Sequence, residues 1–132
     1  MRWTAFALAG SLAFASIPAL ADNPGEQEHL FVVHNGKASF LRLWNDINCR
    51  KLATDFKKKH GFNNRRSLAL CTSHYAVGGR NVSLYLSGQN LDLLDVRLAD
   101  TSLAACKRLG RFLKLSLLSK SSYKDIRFTC YD

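Results

Sequence analysis

The stretch CRKLATDFKKKH at residues 49–60, with its echo CKRLGRFLKL at residues 106–115, organises the rest of the chain. In the first, Cys49, Leu52, Ala53, Phe56 and His60 recur at helical spacing, and the opposite face carries Arg50, Lys51, Lys57, Lys58 and Lys59. Asp46 or Asn48 is placed to cap this helix and Gly61 to stop it. The second stretch opens with the same order of cysteine, two basic residues and leucine. Its helix is expected from Asp100 to about Leu113, with Ala105, Cys106, Leu109, Phe112 and Leu113 as the apolar side.

Strand signals flank both helices. His29 to Val33 and Ala38 to Trp44 are β-prone and separated by Asn35-Gly36, the residue pair that a tight hairpin turn with two positive φ angles prefers. Ser67 to Tyr75 reads as a strand, Gly78-Gly79 as a turn, and Asn81 to Ser87 as a strand in which Val82, Leu84 and Leu86 alternate with polar neighbours. Ser87 to Asn90 breaks that run. Leu91 to Leu98 fits helix and strand equally, and Asp125 to Tyr131 closes the chain as a strand.

Each helix is thus preceded by a hairpin-like segment and followed by a cysteine-bearing strand. The pattern is two copies of a ββαβ unit, each stapled helix to strand, which favours Cys49–Cys71 and Cys106–Cys130. Four cysteines admit three pairings, and the sequence alone does not choose. One feature breaks the likeness: Leu68 and Leu70 are out of phase with Cys71, whereas Ile126 and Phe128 are in phase with Cys130. The expected fold is α+β, a two-layer α/β sandwich related to the ferredoxin-like plait, with both helices on one face of an antiparallel or mixed sheet. Such folds carry many unrelated activities.

The N-terminal region reads as a signal peptide. Met1 to Thr4 is short and basic, Ala5 to Pro18 is apolar, and Ala19-Leu20-Ala21 offers the small residues of a cleavage site, giving residues 1–21 as the leader. The apolar run is shorter than the ~20 residues a membrane-spanning helix needs. Residues 22–28 are then a polar, flexible arm and residues 29–132 a single disulfide-stabilised domain, expected to be a monomer with no integral membrane segment. Export places the 4 cysteines in an oxidising compartment. The absence of a C-x-x-C pair argues against zinc, so neither metal nor other cofactor is expected.

The chain carries 19 Lys and Arg against 10 Asp and Glu. Most of the cations fall in the helical stretches and the loops behind them: Arg50, Lys51, Lys57, Lys58, Lys59, Arg65 and Arg66 in the first unit, and Lys107, Arg108, Arg111 and Lys114 in the second. If both helices cover one side of one sheet, that side is strongly cationic and attracts an anionic cell-surface component or an acidic patch on a host protein. Nucleic acid is less favoured, because Phe62 beside Asn63-Asn64-Arg65-Arg66 is the only tempting aromatic among the cations, Phe56 being better explained as core.

Catalytic signals are sparse. His29, His34, His60 and His74 could in principle supply the acid and base of metal-free phosphodiester cleavage, with His34 and His74 the better candidates. No nucleophile elbow, zinc-protease motif or phosphate loop is present. Asn81-Val82-Ser83 is a glycosylation sequon with meaning only in a eukaryote, and Arg65-Arg66 and Lys107-Arg108 are dibasic pairs.

The helix opening at Cys49, the return strand Ser67 to Cys71, the strand Asn81 to Leu86 followed by Gly88, and the closing strand ending at Cys130 together resemble small secreted killer-toxin-type α/β sandwiches and the fungal plant-pathogen effectors that share their layout. Cys106 within the second helix and the lack of an additional early cysteine depart from that pattern. The resemblance implies secretion and action on another organism's cells, without assigning any functional residue. An effector or toxin-like protein is therefore the first expectation, with a role in virulence. A periplasmic or extracellular binding protein or inhibitor of an acidic partner is the alternative, and a small secreted ribonuclease-like hydrolase the third.

Overall fold

Asn35 and Gly36 both adopt positive φ, 51° and 85°, and fold the chain back on itself between strand β1 (Glu26–His34) and strand β2 (Lys37–Leu43). The computed structural model describes residues 26–44, 46–75 and 80–132, so the expected signal peptide, residues 22–25 of the expected arm and the expected Gly78-Gly79 turn lie outside the described residues. Residues 26–28, expected in the arm, belong to β1: all three pair with β3, and Glu28 pairs with β2 as well.

Helix α1 (Cys49–His60) is capped by Asn48, whose side-chain oxygen accepts the Lys51 N–H at 3.1 Å, and ends at Gly61 with φ 93°. Strand β3 (Ser67–Tyr75) returns antiparallel to β1, giving the sheet order β2-β1-β3. The second unit repeats this order. Strand β4 (Val82–Gln89) and strand β5 (Leu91–Leu98) form a hairpin, helix α2 (Leu103–Leu118) follows, and strand β6 (Lys124–Tyr131) returns beside β4, in the order β5-β4-β6. Both disulfides join the first turn of a helix to the closing strand of its own unit, Cys49–Cys71 and Cys106–Cys130.

The fold is α+β, but the expected single sheet is instead two three-stranded antiparallel sheets. Nor do the two helices share a face. Side chains alternate across a strand, and in β1 Leu30 and Val32 pack with Cys49, Ala53 and Phe56 of α1. The intervening Phe31 and Val33 point the other way, into the main core with Cys106, Leu109, Leu113 and Leu117 of α2 and Val82, Leu84 and Leu86 of β4. Sheet β2-β1-β3 therefore stands between the two helices.

This layering accounts for the phase conflict in β3. Ala69 and Cys71 face α1, while Leu68 and Leu70 face the main core. In β6, Ile126, Phe128 and Cys130 all face α2, and the outer side of that sheet carries Ser83, Tyr85, Arg97, Thr129 and Tyr131 on partly or fully exposed positions. The ambiguous segment Leu91 to Leu98 is a strand with a register shift between Leu86 and Gly88 of its partner. That bulge turns Leu91 and Leu94 to the same side, which is why their spacing imitates a helix. Helix α2 begins later than expected, at the Ser102 cap, and runs on to Leu118 because Leu117 continues the buried row of Leu109 and Leu113.

Candidate anion-binding cleft

The two hairpin turns and the two helix-to-strand loops meet at one end of the molecule. Asn35 and Asn90, at corresponding turns of the two units, both have positive φ (51° and 67°). Gly36 O accepts the Asp92 N–H at 2.8 Å, and a side chain on Gly36 would lie 2.6 Å from Asn90 O, so the turns pack backbone against backbone. Only glycine meets both the positive φ and the close approach.

Tyr123, buried in the loop before β6, ties the second unit to the first. Its hydroxyl donates to Arg66 O at 2.6 Å and accepts the Gly36 N–H at 3.1 Å. Arg66 O also accepts the Asn35 N–H at 3.1 Å. Asn64 shapes the loop that presents Arg65 and Arg66: its amide donates to His60 O at 2.8 Å, and its side-chain oxygen accepts the Arg66 N–H at 2.8 Å. On the opposite side, Asn90 Nδ2 donates to Ser122 O at 3.1 Å.

At this framework opens a polar cleft of about 350 Å³, lined by Asn35, Arg66, Gln89, Ser121, Ser122 and Lys124. A second depression of about 460 Å³, lined by Phe62, Arg65, Ser119 and Lys120, shares Ser121 with it. Arg65, Arg66, Lys120 and Lys124 thus border two adjoining hollows. None of the four has a carboxylate within ion-pairing distance among the described residues, where Arg80 pairs with Asp132 instead. Amide, hydroxyl and cationic groups held on backbone-braced loops are suited to an anionic ligand rich in acceptor oxygens.

No family model, curated protein or solved structure matches the chain. Function therefore rests on the geometry of this end and of the helices.

The cations named from the sequence divide into three groups. Arg50, Lys51, Lys57, Lys58 and Lys59 are exposed on α1. Lys107, Arg108 and Arg111 are exposed and Lys114 partly buried on α2, on the far side of sheet β2-β1-β3. The expected common cationic helix face is thus split by a sheet. Arg65 and Arg66 belong to the cleft, where Lys120 and Lys124, residues of the same basic runs, join them from the second unit.

The histidines also regroup. His34 and His74 pair with Ser67 and Gln27 respectively, at opposite ends of β3, roughly 23 Å apart at about 3.3 Å per residue. They cannot act together on one bond. His34 instead stacks on His60 with ring centroids 3.7 Å apart, and its Nδ1 lies 2.7 Å from Ser67 Oγ and its Nε2 3.2 Å from Asn35 Nδ2. Both ring nitrogens of His34 are thus held by neighbouring polar side chains. Rings stacked face to face leave no room for a phosphate between an acid and a base. Partial withdrawal from water, the neighbouring His34 and then Lys59 hold His60 below the ordinary histidine range.

Two residues of this end escaped the sequence reading. Tyr123 was hidden in a polar KSSYK loop, and the importance of Asn90 could have been suspected from its place at a turn matching Asn35. Among the described residues no group of three His, Cys, Asp or Glu comes together to hold a metal ion.

Proposed function

We propose that this chain is an exported, non-enzymatic effector or toxin-like protein that acts on another cell by engaging an anionic surface component or a host protein. The observation that supports this reading is the convergence of Arg65, Arg66, Lys120 and Lys124 from both units on one unneutralised, hydrogen-bond-braced end. A disulfide in each unit suits an oxidising environment, and among the described residues no helix is long and apolar enough to cross a membrane. The hydrolase alternative is weakened by the separation of His34 from His74 and by the stacking of His34 on His60.

The test compares the oxidised protein with a variant carrying Arg65, Arg66, Lys120 and Lys124→Glu on bacterial, fungal and plant cells. Killing or necrosis by the parent that is lost in the variant supports the reading. Equal activity of both at low salt overturns the electrostatic basis. A parent inert on all three cell types transfers the same site to the second reading, an extracellular binding protein or inhibitor of an acidic partner. The rigid framing of the cleft by Tyr123 and Asn64 favours that reading.

A further inference from the structure

The exposed surface of α2 differs in kind from that of α1. On α1 the outward residues are Arg50, Lys51, Thr54, Asp55, Lys57, Lys58 and Lys59, and the one large apolar side chain among the exposed positions, Leu52, is 37% exposed. On α2 the outward residues alternate between two chemistries. Lys107, Arg108 and Arg111 are exposed, and among them stand Phe112 at 46% exposure, Leu115 at 62% and Leu118 at 43%. At 100° per residue these six positions fall within an arc of roughly 140°, on the side of the helix away from buried Cys106, Leu109, Leu113 and Leu117.

The helix contains no acidic residue, and none of its cations has an ion-pair partner among the described residues. At the N-terminal end of this arc, Arg108 and Phe112 form one wall of a groove of about 330 Å³ against Cys71, Thr72 and Ser73 of β3. Beyond its C-terminal end, Ser119 and Lys120 continue into the hollow bordered by exposed Phe62 and Arg65. Interleaved apolar and basic groups therefore extend from the groove along the helix to the loop end.

We infer that this face of α2 is a membrane-interfacial surface for anionic lipid, which makes the cell-surface partner of the proposed function a bilayer; the inference rests on that reading. Charge complementarity selects the occupant. Three unpaired cations alternating with three exposed apolar side chains match a layer of anionic headgroups over hydrocarbon, into which Phe112, Leu115 and Leu118 insert while Lys107, Arg108 and Arg111 stay at headgroup level. A soluble polyanion would use the cations and leave the three apolar groups in water. The helix does not span the bilayer; it lies along it, anchored from behind by its packing on β4 and β6.

The experiment is co-sedimentation of the oxidised full-length chain with vesicles of neutral phosphatidylcholine, and with vesicles containing one-third phosphatidylglycerol, at low and high salt. Inorganic polyphosphate binding is measured in parallel. Binding is expected on the anionic vesicles alone, and weaker in high salt. A variant with Phe112, Leu115 and Leu118→Ser should lose at least tenfold in vesicle affinity while keeping polyphosphate binding, and a variant with Lys107, Arg108 and Arg111→Glu should lose it too. Because all six side chains are exposed, circular dichroism should show both variants folded. Equal binding to neutral vesicles, or binding that survives either variant, overturns the inference and exposes any contribution of an uncleaved N-terminal apolar stretch. No vesicle binding with retained polyphosphate binding overturns the inference but leaves the anionic-partner reading standing. Loss of both ends both.

Discussion

The two ββαβ units share element order, strand order and a disulfide at the same place, yet their sheets are used differently. Sheet β2-β1-β3 is covered on both sides, by α1 through Leu30, Ala69 and Cys49 and by the second unit through Phe31, Val33 and Leu68. Among the described residues, sheet β5-β4-β6 is covered on one side only, and Tyr85, Arg97 and Tyr131 lie on its other side. A repeated secondary structure therefore does not imply repeated burial. The second helix works for both units, whereas the first packs against its own sheet alone.

The sharpest way to break this comparison is to truncate neighbours in β1. Phe31→Ala empties the main core and should cost roughly 3–5 kcal/mol, while Leu30→Ala, facing α1, should sit near the lower end of the roughly 2–5 kcal/mol range for buried leucine. Urea unfolding measures both, and equal losses would mean that the two clusters carry equal weight. The closeness of α2 to its sheet is tested next. A methyl group on Gly110 would clash with the Phe128 ring, so Gly110→Ala should destabilise by about 1–3 kcal/mol despite its better helix propensity. A stabilised variant would show that the contact is slack.

Tyr123→Phe tests the junction between the units. It leaves the buried Gly36 N–H without its acceptor and should cost about 1–3 kcal/mol, with faster hydrogen exchange at Gly36 as its local signature. The smallest effect concerns pH. His60 titrates lower in the folded chain than in the unfolded one, so on acidification the unfolded state takes up the proton first. The His60 contribution is complete above the unfolded value of about 6.5 and is lost as pH falls through the lower folded value. The stability difference between the parent and His60→Gln should therefore shift against the parent below about pH 6.5; a pH-independent difference would contradict the assignment.

Much of this architecture can be read locally. Asn35-Gly36, the Asn48 cap, the Gly61 stop and the cysteine placement each act within a few residues or within one unit, so the hairpin, α1 and the pairing of disulfides all appear in the pattern. How the units meet is not a local property. The only trace of it was the displaced phase of Leu68 and Leu70 against Cys71, which is what a strand buried on both faces produces. The bulge beside Gly88 disguised β5 for a related reason, since periodicity assumes an unbroken register. The cleft was half legible: Arg65 and Arg66 stood out as a charged pair, but their company with Lys120, Lys124 and Tyr123 depends on contacts between residues more than fifty positions apart.

The dependence on Tyr123 has a consequence for how the chain comes into being. A polypeptide emerges from its N-terminus, so the first unit is complete through β3 before the residues that brace its hairpin and cover Phe31, Val33 and Leu68 have been made. During that interval a finished sheet presents a bare apolar face, the condition under which nascent chains associate wrongly. Transport in an extended state, with folding postponed until the whole chain has arrived, would remove that interval altogether.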